Sequence, residues 1–167
     1  MLSPYQPKVQ QKLAHANLLL ESCRQCGDQL PERQKREAFL TAAVMQTGVA
    51  LVLYIKELAS RHALSGVSRI HTLDQLVHEL QQLGVNDPAV SELQRLSTDG
   101  WLSDLLILQH QALYPDVNDA GAAVAVDAGL IASSAIQTTE LNDGLVFNLI
   151  SELTRLIERQ RHANLEY

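Results

Sequence analysis

No lysine or arginine occurs between Leu96 and Thr154, although that stretch holds Asp99, Asp104, Asp116, Asp119, Asp127, Glu140, Asp143 and Glu152. All thirteen cations lie outside it, ten before and three after, so the net charge of −6 is concentrated in the middle of the chain. A surface built from residues 96–154 repels phosphate backbones and anionic lipid and attracts basic partners. Cysteine is scarce as well: the two present, Cys23 and Cys26, cannot build a disulfide framework in 167 residues, and both are expected to be reduced thiols. Residues 1–8 show neither an apolar signal region nor a small-residue cleavage site, which sets the expectation of a cytoplasmic protein.

Aromatics make up only 4% of the chain, while the apolar share is 46% and rests largely on Leu, Ala and Val. Gln and these mostly unbranched or small side chains favour helices over sheets. The length suits one domain with a real core, so an all-α bundle spanning residues 1–167 is expected.

Apolar periodicity places five main helices. The first begins at Pro4 or Pro7 and ends at Gln25, with Val9, Leu13, Ala16, Leu20 and Cys23 on one stripe and Gly27 as a left-handed cap. Pro31 opens the second, whose first turns from Glu32 to Glu37 are charged and which ends near Arg61. Within it, residues 38–54 contain only Thr41, Gln46 and Thr47 as clearly polar side chains, close to the lower length limit for a membrane span. A bundle, however, needs one helix apolar nearly all round at its centre, so the core reading is preferred and no membrane partner is expected.

Ser65-Gly66 breaks the pattern, and Thr72-Leu73-Asp74-Gln75 reads as a capping box for the third helix, with Leu73, Leu76, Val77 and Leu80 on its apolar face. Gly84 closes it. Asn86-Asp87-Pro88 starts the fourth, which carries Val90, Leu93 and Leu96 and meets a kink or restart at Thr98-Asp99-Gly100 before continuing through Trp101 and Leu102 to Tyr114. Residues 116–140, rich in Ala, Gly, Ser and Val, form a long connection expected to be a crossover or flap with short extended pieces at 124–126 and 130–132. Asn142 and Asp143 then open the last helix, with Val146, Leu149, Ile150, Leu153, Leu156 and Ile157 facing inward.

Chemistry-bearing candidates are few. Cys23-Arg24-Gln25-Cys26 has redox-pair spacing but sits at a helix C-terminus, where the dipole disfavours thiolate, and no second ligand pair follows at zinc spacing. His15, His62, His71, His78, His110 and His162 are scattered and form no His-Glu-x-x-His set, so neither a metal nor a cofactor is expected. Arg33, Lys35 and Arg36 form the only compact basic cluster, and Glu32 and Glu37 flank it, which argues against nucleic acid as a partner.

Arg155 and His162 are seven residues apart, within about 20° of one face of the final helix. An Arg-x(4–6)-His pattern on a late helix resembles the HEPN helical-bundle family. That resemblance implies a dimeric ribonuclease with His162 handling a proton and Arg155 stabilising phosphate charge. Two features depart from it: Leu156 follows the arginine where active members place a polar residue, and His162 lies five residues from the end. Glu152, Arg155, Glu158, Arg159 and His162 also read as a solvated face with i,i+3 and i,i+4 pairs.

Trp101, the one tryptophan, is a core anchor or, if exposed beside Asp99 and Asp104, a partner-binding hot spot. Three segments, Lys-Val-Gln-Gln-Lys-Leu-Ala-His-Ala, Lys-Arg-Glu-Ala-Phe-Leu and Trp-Leu-Ser-Asp-Leu-Leu, together resemble a bacterial family of small helical proteins of unknown function, over residues 7–115 and the last helix. That resemblance carries no catalytic residues. The expected function is a non-enzymatic interaction or regulatory module that binds a protein partner or itself, as a homodimer, with a HEPN-like ribonuclease as the alternative.

Overall fold

The computed structural model describes residues 3–114 and 141–163, which contain six α-helices and no strand. The crossover or flap expected at 116–140 lies outside the described residues. The helices are α1 (Gln6–Arg24), α2 (Leu30–Arg61), α3 (Leu73–Gln82), α4 (Pro88–Thr98), α5 (Trp101–Leu113) and α6 (Asp143–Ala163), with a single 3₁₀ turn at Val67–Arg69 before α3. Six replace the expected five because the fourth stops and restarts. Asp99 leaves the helical region (φ −143°, ψ 75°) and Gly100 is fully extended, so α5 begins afresh at Trp101.

Local sequence sets most boundaries. Thr72 and Gln75 form the capping box: the Gln75 N–H donates to Thr72 Oγ1 at 3.2 Å while the Thr72 N–H donates to Gln75 Oε1 at 3.2 Å. Asp87 caps α4 by accepting the Ala89 N–H at 2.7 Å. Asn142 Oδ1 accepts from the Leu145 N–H at 2.9 Å at the start of α6. At the end of α3, the Gly84 N–H donates to Gln81 O and the Val85 N–H to Leu80 O, a Schellman closure with Gly84 at φ 65°.

Two ends differ from expectation. Gly27 is not left-handed; α1 closes instead on short 3₁₀ bonds, Gln25 N–H to Ser22 O and Cys26 N–H to Cys23 O, which leave no role for a left-handed cap. At the end of α2 the left-handed residue is Ala63 (φ 51°). Its N–H donates to Ser60 O and the Leu64 N–H donates to Ala59 O, the same Schellman pattern without glycine.

Helix α2 is the hub. It contacts α1, α3, α5, α6 and the 3₁₀ turn, and α1 runs along it with Val9, Leu13, Ala16, Leu20 and Cys23 buried at alternating four- and three-residue steps. By length and composition α2 could cross a membrane, yet half of its most apolar window is buried inside the bundle. Helix α6 buries the six apolar residues named above together with Gln160. The result is one continuous core that includes residues from every helix.

Candidate functional site

Helix α5 has two faces at helical spacing. Leu102, Leu105 and Leu108 are buried against the bundle, while Leu106 and Ile107 are each 40% exposed, Leu113 53% and Tyr114 65%. Thus four of the nine exposed large hydrophobic side chains among the described residues lie on one short helix and the residue that follows it. Single exposed apolar residues are ordinary, whereas a cluster marks a contact surface. The His110 and Tyr114 rings lie 5.0 Å apart and tilted by 42°, which fixes the outer edge of this strip.

Beside the strip, α2, α4, α5 and the start of α3 enclose a cleft of about 500 Å³ floored by Leu51, Ile55, Leu93 and Leu102, with His71, Thr72 and Asp74 at its margin. A shallower depression of about 440 Å³ follows α5 outward past Ile107 and His110 to Tyr114, and Ser97 and Leu106 border both. The surface therefore runs unbroken along α5. Its lining carries no lysine or arginine, and Asp74 is its one carboxylate.

Among the residues singled out from sequence, Trp101 is half-buried and packs against the core. Asp99 is exposed in the break before α5, and Asp104 is half-buried on its first turn. All three lie at the N-terminal end of the apolar strip. Arg155 and His162 are exposed on α6, and the Arg155 guanidinium donates to Glu152 at 3.1 Å, an i,i+3 surface pair.

Cys23 is buried, and desolvation pushes its thiol up, partly offset by the nearby Arg36 guanidinium. Cys26 is half-buried, and its Sγ–H donates to Ser22 O at 3.4 Å. No cluster of three or more metal-ligating side chains occurs among the described residues. In the basic cluster, Lys35 pairs with Glu32 at 2.6 Å and Arg36 reaches Asp143 at 3.4 Å, so two of its three cations are already engaged.

A family model matches residues 1–167, the whole chain. The chain belongs to DUF6586, a family of unknown function. No curated protein and no solved structure matches it. Membership in DUF6586 therefore assigns no reaction or ligand, and the residues must be read on their own chemistry.

One polar cluster in this DUF6586 member escaped the sequence reading. Tyr54, fully buried in α2, donates its hydroxyl to Gln160 Oε1 at 2.6 Å, and the Gln160 amide donates to Glu92 Oε2 at 2.8 Å and to Ala89 O at 3.3 Å. Burial raises the Tyr54 hydroxyl well above its ordinary pKa. Nearby, Arg161 holds Glu57 through two bonds of 2.9 and 2.6 Å, with side chains only 18% and 7% exposed.

His62 meets Asp87 at 2.6 Å, joining the ends of α2 and α4. Burial alone would raise the Asp87 carboxyl, but the His62 hydrogen bond, the Ala89 N–H and Arg61 together hold it below the ordinary aspartate value. Every one of these groups is turned toward another helix. The cluster ties α2, α4 and α6 together.

Proposed function

We propose that this protein is a non-enzymatic helical interaction module of the cytoplasm that self-associates, needs no cofactor and binds through α5. The observation that carries the reading is the apolar strip of Leu106, Ile107, Leu113 and Tyr114, exposed on a helix without lysine or arginine. The half-buried α2 supports a core role over membrane insertion, and the paired cations of the 33–36 cluster weigh against a nucleic-acid partner.

Sedimentation of the full chain from about 1 to 500 µM, a range chosen for a small helix-pair interface, tests the self-association. A monomer–dimer equilibrium abolished by Ile107→Glu is expected, and a strict monomer throughout would overturn the proposal.

A second reading, a dimeric ribonuclease, draws only on the exposure of Arg155 and His162 along one face of α6. Its test is incubation of purified protein with single-stranded RNA. Cleavage lost in a folded His162→Ala variant would establish it, and intact RNA would remove it.

A further inference from the structure

The α5 strip has an internal pattern that selects both its occupant and the direction in which the occupant lies. Ser103, Ile107, His110 and Tyr114 follow one another at steps of four, three and four residues, the spacing of a two-helix seam. They lie opposite the buried Leu102, Leu105 and Leu108. At about 100° per residue, Leu106 and Leu113 fall on one border of this seam and Asp104 and Gln111 on the other. One border is apolar and one is polar, and each border repeats itself seven residues along.

We propose that the occupant is α5 of a second copy of this chain, packed antiparallel about a two-fold axis that passes between Leu108 and Gln109. This rests on the self-association reading above. In that arrangement the sum of facing residue numbers is constant along the seam and differs by two at each border, so Ile107 meets His110 of the partner subunit and Ser103 meets Tyr114 of the partner subunit. The borders then match like with like. Leu106 covers Leu113 of the partner subunit, and the Asp104 carboxylate accepts from the Gln111 amide of the partner subunit.

A parallel pair does the opposite. It sets the apolar border of each helix against the polar border of its mate, which costs desolvation of Asp104 and Gln111. Complementarity therefore favours the antiparallel pair.

The test uses the full chain and two independent readouts. In the first, dimer dissociation is measured by sedimentation for Gln111→Lys and Gln111→Glu, both at a half-buried position, with the helical content of each variant checked by circular dichroism. Two symmetry-related contacts with Asp104 predict about three- to tenfold tightening for the lysine variant and a comparable weakening for glutamate.

In the second, Leu106→Cys and Leu113→Cys are placed in a Cys23→Ala, Cys26→Ser background and oxidised gently. The combined variant is expected to cross-link between chains, while Leu113→Cys alone is not, because the two copies of residue 113 stand about 13 Å apart along the axis. Efficient cross-linking of Leu113→Cys alone, or equal shifts from the lysine and glutamate variants, overturns the antiparallel geometry while leaving self-association standing. A protein that stays monomeric in every sample overturns the self-association reading itself.

Discussion

The hydroxyl of Tyr54 and the side-chain amide of Gln160 are 2.6 Å apart in the interior, although 106 residues separate them in the chain. Neither partner can be replaced by water, since Tyr54 is fully buried and Gln160 is 5% exposed. Tyr54→Phe therefore removes the buried hydrogen bond from the Tyr54 hydroxyl to Gln160 Oε1 and should lower stability by about 1–3 kcal/mol in urea unfolding. The tyrosine also sets an alkaline limit. Its pKa is raised on folding, so its contribution is complete below the ordinary tyrosine value of about 10 and is lost as pH rises toward the folded value. The phenylalanine variant should lack that alkaline loss.

Ala63 occupies a left-handed position that Schellman closures usually give to glycine. An L side chain there costs roughly 1–2 kcal/mol, part of which glycine returns through the greater freedom of its unfolded chain. Ala63→Gly should stabilise the protein by about 0.5–1 kcal/mol, read as a rise of a few degrees in thermal midpoint. No change, or a fall, would show that the closure is not strained.

A Cβ on Gly48 would press into the side-chain amide of Gln109, so α2 and α5 meet closely there and an added methyl must move that amide. Gly48→Ala gains about 1 kcal/mol of helix propensity but must expel Gln109 into the adjoining cleft. Because the displaced group is the end of a flexible side chain, the two effects should nearly cancel. With Gln109→Ala also present, Gly48→Ala should be clearly stabilising by about 1 kcal/mol, so a double-mutant cycle in denaturant gives a coupling.

Two arginines on α6 should behave oppositely. Arg155 is 73% exposed in its pair with Glu152, and Arg155→Ala should change stability by less than about 0.5 kcal/mol. Arg161→Ala strands the buried Glu57 carboxylate and should cost about 3 kcal/mol or more. Similar losses in both would contradict the burial contrast.

Acid should loosen the joint between α2 and α4. The Asp87 carboxyl has a folded pKa below its unfolded one, so its contribution is present above about pH 4 and disappears as pH falls through the folded value. Asp87→Asn should flatten the stability profile in that acid range, measured by urea midpoints at successive pH values.

What the sequence revealed and what it hid follow one physical rule. Thr72, Gln75, Asp87 and Asn142 were readable because a cap is made by residues two or three apart, and the inward stripe of α6 was readable from its period. The pairs Tyr54–Gln160, Glu57–Arg161 and His62–Asp87 were not, because periodicity shows which face is inside but not which distant polar group waits there. A faint signal existed: Gln160 continues the apolar stripe three residues after Ile157, and Tyr54 closes the apolar run of α2. The exposed strip on α5 was hidden for a different reason. Leu106 and Ile107 look as inward as Leu105 and Leu108 until the neighbours of the helix are known.

Helix α2 sits at the hub, but the helix that completes its polar partners is the last of the described helices to be made. During synthesis, α1 can fold back on α2 as soon as both have left the ribosome, a local step. Tyr54 and Glu57 must then wait for roughly a hundred further residues before Gln160 and Arg161 arrive. For that interval the nascent chain carries a long apolar helix with one flank uncovered, so the moment of greatest exposure to aggregation and to chaperones falls during translation rather than after it.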